Sequence, residues 1–222
     1  RSKDFTWNVS GNIGFNSSKI RKLGLPLAFY GNNQYSAYLG NSIGDHFGVA
    51  NIFIEGKAPG LFWGYKTDGI IQKGDDVPQK SENKNTIAGS TDPGNIKFVD
   101  SNGDGMITED DKVILGDPNP DFTYGFQTRL TYKDISLSAS FNGVYGNDLL
   151  NSNLRYEAMP AKNSSNNIRK EVYANIWRAD NPTNLYPGVN STNPSSAVLD
   201  RYIEDGSFLR CSDITLGYTM PK

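Results

Sequence analysis

The sequence predicts an all-β protein: antiparallel strands of a partial transmembrane β-barrel, long loops on the extracellular side, one short helix and an EF-hand-like calcium loop. Three observations carry this reading. Phe122 to Tyr132 and Ile135 to Tyr145 each alternate apolar and polar residues over their whole length, and only Lys133-Asp134 separates them. Asp100 to Asp111 puts oxygen-bearing side chains at the spacing a twelve-residue calcium loop requires. Aromatic residues make up 12% of the chain beside 23 Gly and 11 Pro, a mixture that suits strands joined by many turns.

Along the chain, Thr6 to Asn16 alternates first: Trp7, Val9, Gly11, Ile13 and Phe15 fall on one side, and polar or small residues on the other. The run exceeds the usual strand length. Residues 19–46 read as irregular, with a short strand around Leu27 to Tyr30. Residues 47–56 (Phe47, Val49, Ile52, Ile54) read as a strand, and 61–71 as an aromatic-rich extended piece. Residues 72–95 are polar and rich in Gly and Pro, hence loop.

The segment from Phe122 to Tyr145 is a β-hairpin. Phe122, Tyr124, Phe126, Leu130 and Tyr132 share a face, as do Ile135, Leu137, Ala139, Phe141 and Tyr145. Aromatic residues stand near the strand ends. Strands of this length, apolar on one side with aromatic ends, match tilted membrane-spanning strands. A soluble sandwich with one wet face has the same alternation, so the pattern leaves both open; strand length and aromatic ends favour the barrel.

Residues 146–206 form a long polar excursion. Within it Ile168 to Ala179 is predicted as a helix, with Ile168, Val172, Tyr173, Ile176 and Trp177 on one face and Asn181-Pro182 as its stop. A last strand is expected over 207–220. There Ile214, Leu216 and Tyr218 alternate while Leu209 and Cys211 are out of phase, which predicts a bulge near Ser212-Asp213.

The bulk numbers narrow the function classes. The 222 residues suffice for one sizeable domain or two small ones. Apolar residues are 36% and mean hydropathy is −0.54, low for a compact globule. The net charge of −2 and the absence of any Lys/Arg run longer than two argue against a nucleic-acid partner. Cys211 is the sole cysteine, which excludes an intrachain disulfide and a multi-cysteine metal site; it reads as a small buried apolar residue. Residues 1–10 lack the apolar core of a signal peptide, and no run approaches the ~18 apolar residues of a membrane helix. A strand just before Met220-Pro-Lys222 suggests a piece of something larger.

The acidic loop carries the strongest chemical signal. Asp100, Asn102 and Asp104 can each offer a side-chain oxygen, Met106 its carbonyl, and Thr108 a hydroxyl or bound water. Asp111 closes the loop where a longer Glu is usual. Gly105 permits the sharp turn and Ile107 is expected to pin the loop to a core. A metal-free loop of Asx turns fits the same residues. An ion here would rigidify the loop rather than catalyse.

Catalytic constellations are thin, and the chain is not read as an enzyme. His46 is the sole histidine, with no nucleophile elbow in the sequence to serve. No glycine-rich phosphate loop with a Lys appears. Asp68, Glu55 and Glu157 are not distinguished from surface acids. Trp63, Tyr65, Trp177 and Tyr186 can stack on sugars or peptides, though packing beneath loops is the commoner fate of such rings.

Several phrases together resemble the C-terminal barrel region of SusC/RagA-like TonB-dependent outer-membrane transporters of the Bacteroidetes. They begin with Gly60-Leu-Phe-Trp-Gly-Tyr65-Lys-Thr-Asp-Gly69-Ile and Phe98-Val-Asp100-Ser-Asn-Gly-Asp-Gly-Met-Ile. Then come Gly116-Asp-Pro-Asn-Pro120-Asp-Phe-Thr-Tyr-Gly125-Phe and Phe141-Asn-Gly-Val-Tyr-Gly146-Asn-Asp. Tyr202-Ile-Glu-Asp-Gly206-Ser-Phe-Leu-Arg210 and Ile214-Thr-Leu-Gly-Tyr218-Thr-Met-Pro complete the set. The resemblance runs over nearly the whole chain. It implies the C-terminal part of an importer of glycans or peptides, over residues 1–222, with six or seven barrel strands and without the plug and the final strands. It further implies a SusD-like lipoprotein lid, drive from the TonB complex through an N-terminal part, and a place among outer-membrane lipid. Lys133-Asp134 would then be a periplasmic turn, and 17–121 and 146–206 the outward-facing loops. A secreted, calcium-stabilised glycan-binding β-domain is the alternative.

Overall fold

A computed structural model describes residues 4–42, 48–77, 90–157, 167–192 and 197–220. Fourteen strands and two short helices follow in the order β1 (Phe5–Gly14), β2 (Ala28–Tyr30), β3 (Asn33–Tyr35), β4 (Ala37–Leu39), β5 (Asn51–Ile54), β6 (Leu61–Gly64), β7 (Thr67–Ile70), β8 (Ile96–Phe98), β9 (Val113–Gly116), β10 (Phe122–Tyr132), β11 (Ile135–Tyr145), β12 (Asp148–Leu150), α1 (Leu154–Glu157), α2 (Lys170–Asn175), β13 (Ile203–Asp205) and β14 (Phe208–Tyr218). The chain divides into two compact units. Among the described residues no helix is long and apolar enough to cross a membrane, which says nothing of strands.

The first unit comprises 1–18, 118–149 and 205–222. It is an antiparallel four-stranded sheet in the order β1-β10-β11-β14. The hairpin falls where the alternation places it, with Tyr132 opposite Ile135 across a two-residue turn. Lys133 has a φ of 52°, the left-handed conformation so tight a hairpin demands. The expected bulge is present: Ser140 faces Asp213 and Phe141 faces Cys211, so Ser212 is the extra residue. That one insertion returns Leu209 and Cys211 to the face of Ile214, Leu216 and Tyr218. Four long strands replace the six or seven expected, and the described residues form no closed barrel.

The second unit comprises 19–117 and 150–204. Its short strands form a sheet in the order β4-β5-β6-β9 and the pairs β2-β3 and β7-β8. The sequence reads most of this unit as irregular segments and long polar loops, and the structure gives them a core. Two apolar clusters are buried, one of Ala37, Ile52, Ile54, Leu61 and Trp63, the other including Tyr65, Ile70, Phe98, Ile107, Leu199 and Tyr202. A run of short strands obscures its own alternation, because each has too few residues to establish a period. Packing is close where Gly64 meets the 198 region. A Cβ on Gly64 would lie 2.2 Å from the Val198 carbonyl oxygen, and that oxygen accepts from Tyr65 N at 2.9 Å.

The predicted helix is shorter than expected. α2 ends at Asn175, and Ile176 is extended, with ψ 140°. Ile176 bridges Tyr186 in parallel, and Trp177 N donates to the Tyr186 carbonyl at 3.0 Å. Tertiary pairing thus takes the backbone groups the last helical turn would have used. Val172 and Ile176 are buried while Tyr173 is exposed, so only part of the expected face is inward. A further four-residue helix, α1, stands beside the one expected. The strand expected over 47–56 is confined to β5; Phe47 and His46 lie outside the described residues.

Candidate functional site

Two features carry chemistry, and each belongs to its own unit. The first is the sheet surface. Cross-strand register sets Trp7, Leu130, Leu137 and Leu216 in one row, and Val9, Thr128, Ala139 and Ile214 in another. Facing residues of paired strands share a side of the sheet, so this face is mostly apolar or aromatic, with Thr128 the polar member of these rows. The other carries Asn8, Arg129, Ser138 and Thr215, then Ser10, Gln127, Ser140 and Asp213. The apolar face is uncovered: Trp7 is 62% exposed, Ile214 67% and Leu216 74%. Cys211 belongs to that face and is exposed, which corrects its reading as a buried residue. In water such a face is unfavourable by roughly 25 cal/mol for each Å² of apolar surface. In lipid it is not.

The dimensions agree. Eleven residues in β10, β11 and β14 rise about 36 Å, and at a tilt of about 45° they project about 25 Å, the height of a barrel's apolar band. Aromatic contacts gather at one end of the sheet, where Phe122 stacks on Tyr145 at 5.1 Å and meets Phe15 at 5.8 Å. The two long connections, after Gly14 and after Tyr145, leave from this end, while the Lys133-Asp134 turn closes the other.

The second feature is the acidic loop. Both oxygens of Asp100 accept backbone amides, from Gly103 at 2.6 Å and Gly105 at 2.7 Å. Asn102 Oδ1 accepts from Asp104 N at 2.9 Å, and Asp104 Oδ1 from Met106 N at 2.8 Å. Asp111 lies beneath the loop with no exposed surface. Its Oδ1 accepts from Ser101 N at 2.8 Å and its Oδ2 from Thr108 N at 2.7 Å. Thr108 is the N-cap of a 3-10 turn over Glu109–Asp111, in a reciprocal capping box with Asp111. Ile107, 1% exposed, anchors the loop in the core as its spacing predicts.

Electrostatics separate the two end carboxylates. Burial pushes the Asp111 carboxyl up, against the amides of Thr108, Ser101 and Asn102. At Asp100 the slight burial also raises the pKa, but amides from Gly105, Gly103, Asp104 and Asn102 outweigh it and hold the carboxyl below its ordinary value. The oxygens of Asp100, Asn102 and Asp104 suit a hard cation, each keeping a second lone pair beyond the amide it accepts. Asp111 uses its two oxygens on amides, and among the described residues no three carboxylate, imidazole or thiolate groups gather at metal-binding distance. Met106 is 38% exposed, and its amide donates to Asp104 Oδ1 within the loop.

The aromatic candidates part company. Trp63 and Tyr65 are buried, and the Tyr65 hydroxyl donates to Glu109 Oε1 at 3.2 Å; burial and that carboxylate raise its pKa. Trp177 and Tyr186 are half-buried and each lines a cavity. Sequence reasoning missed Arg201, which also lines a cavity; it stands just before the Tyr202–Arg210 phrase and carries no spacing signal of its own.

Sequence comparison decides the family. The chain is 33% identical over its whole length to TonB-dependent receptor P3 of Formosa agariphila, of which it covers 20%. It is 28% identical over 98% of its length to the TonB-dependent receptor SusC of Bacteroides thetaiotaomicron, of which it covers 19%. This chain belongs to the TonB-dependent receptors. It spans about one fifth of the length of these curated relatives, both named as receptors. No protein-family model matches. The fold of this SusC-like receptor segment is that of the RagAB peptide transporter, matched over 100% of the chain and 21% of that protein's at TM-score 0.68 and 22% identity. The same protein in its closed-closed state matches at TM-score 0.69.

Proposed function

We propose that the chain is the C-terminal wall and outer loops of an outer-membrane importer that takes up glycans or peptides. The uncovered apolar face, in register across four strands, supports this most directly. Water would not leave it bare, and a barrel wall needs it. Long connections leaving one end and a tight turn closing the other match the outer and periplasmic sides of such barrels. On this reading a SusD-like lipoprotein covers the outer loops, and the TonB complex acts through a segment outside this chain.

In the same reading, calcium joins the acidic loop through Asp100, Asn102 and Asp104 and the Met106 carbonyl, with Thr108 and Asp111 shaping the loop from behind. It would supply charge neutralisation and rigidity. The role is structural, and nothing in the described residues assembles a catalytic group around it.

Deleting the gene for the full-length receptor tests the importer. Loss of growth on one glycan or peptide class, restored by the gene, is expected. Unimpaired growth on every such cargo, with the receptor recovered from the soluble fraction, would return the secreted glycan-binding alternative.

A further inference from the structure

We propose that the cavity beside Arg201 binds its ligand by a carboxylate group, gripped by the Arg201 guanidinium. The proposal rests on the importer reading for what the ligand is, a cargo, but not for the binding itself.

The cavity lies within the second unit, is half open to solvent and measures about 400 Å³, at the small end of ligand sites. Leu154, Leu185 and Tyr186 supply apolar wall, and Arg169 adds positive charge. Arg201 enters from a 3-10 turn, Asp200–Tyr202, whose backbone is fixed by its neighbours: Leu199 is fully buried and Tyr202 nearly so. The cation therefore stands on a rigid base.

Its surroundings leave one of its donors unpaired, although Asp200 beside it and Glu171 and Glu204 on the cavity wall keep their negative charge. Asp200, next in sequence, is turned to other work, accepting from Thr67 N at 3.0 Å, from Thr67 Oγ1 at 2.6 Å and from the Arg201 amide at 2.8 Å. The two carboxylates of the cavity wall hold neutral donors: Glu171 accepts from the Tyr186 hydroxyl at 3.3 Å, and Glu204 from Asn151 Nδ2 at 2.9 Å. Arg201 Nη2 donates to the Leu185 carbonyl. Arg201 Nη1 is buried with no protein acceptor. Burial lowers the pKa of this guanidinium, against the pull of Tyr202, Asp200 and Tyr186.

A buried cationic donor without an acceptor is among the costlier arrangements in a protein. A planar carboxylate is its natural complement, because guanidinium and carboxylate pair through parallel hydrogen bonds. Neutral sugar hydroxyls lack that charge. The carboxylate has two sources among importer cargoes, a peptide and an acidic sugar, and both present the same group to Arg201.

Binding to the detergent-purified full-length receptor tests this with two probe pairs: a tetrapeptide with a free C-terminal carboxylate against its C-terminal amide, and a galacturonic acid oligomer against its methyl ester. In at least one pair the acid is expected to bind tenfold or more tightly than its neutral form, and the pair that discriminates identifies the source. Arg201→Gln should erase the difference, and Arg201→Lys should restore part of it. Leu185→Trp fills the cavity from an exposed position with Arg201 intact, and should weaken the acid; it decides the matter if Arg201→Gln fails to fold. Equal binding of acid and neutral forms, no binding of either acid, or acid preference undiminished in Arg201→Gln or Leu185→Trp overturns the proposal. Loss of uptake by gene deletion is independent of all these outcomes, so the importer can stand while this site falls.

Discussion

The two units invert each other's logic. In the sheet, Trp7, Ile214 and Leu216 are more than half exposed, and the polar residues occupy the opposite face. In the loop unit, Ile52, Tyr65 and Leu199 have no exposed surface. The residue types are the same; what differs is the medium each has to face. A loop region standing in water must bury its apolar side chains against itself, and it does so with short strands and two small cores. A barrel wall buries them in lipid, and needs no second layer.

Substitutions can break this contrast. The largest effect is expected in the loop unit, where Leu199→Ala removes a fully buried side chain and should cost about 2–5 kcal/mol, read as a lowered unfolding temperature of that unit. Next is a pair across the sheet. Ile214→Arg puts a charge on the lipid face and should cost about 2–4 kcal/mol, seen as loss of folded, heat-modifiable receptor from the outer membrane. Thr215→Arg, one residue along and on the opposite face, should be tolerated. Equal damage from both would contradict the assignment of faces.

Smaller effects concern the acidic loop. Asp111→Asn leaves one acceptor oxygen where the carboxylate now serves the amides of Ser101 and Thr108, and should cost about 1–3 kcal/mol. Asp104→Ala should leave the fold intact but abolish any rise in unfolding temperature on adding calcium; calorimetry showing no calcium heat in the unsubstituted receptor would remove the ion.

The smallest is a pH effect. The Asp100 carboxyl sits below its ordinary value of 3.8, so its contribution is present above that pH and is lost as pH falls through the lower folded value. Asp111 works the other way, since its raised pKa makes ionisation a cost that appears as pH rises. Asp100→Asn should therefore flatten the acid limb of the stability profile, measured by thermal unfolding between pH 2 and 5, and Asp111→Asn should not.

Much of the sheet was legible in the residues alone. β10, β11 and the Ser212 bulge lie where alternation and its break put them, because a period of two over eleven residues belongs to a two-faced strand and not to a helix. The acidic loop was legible as spacing, as was its anchor Ile107. The role of Asp111 was not, since spacing says which residues carry oxygen and not which way it points. Helix α2 was over-extended because Ile176 and Trp177 carry a helical spacing that pairing with Tyr186 overrides.

By itself, then, the sequence determined the long strands, the two-sidedness of the sheet and the family, since each is written in local order or in identity that extends over the whole chain. Only the tertiary structure decided that the second unit owns a core, that Asp111 faces amides, and that Arg201 is left with a buried, unanswered donor. Those three depend on residues far apart in the chain meeting in space, as Tyr65 meets Leu199, and no period or motif records such encounters.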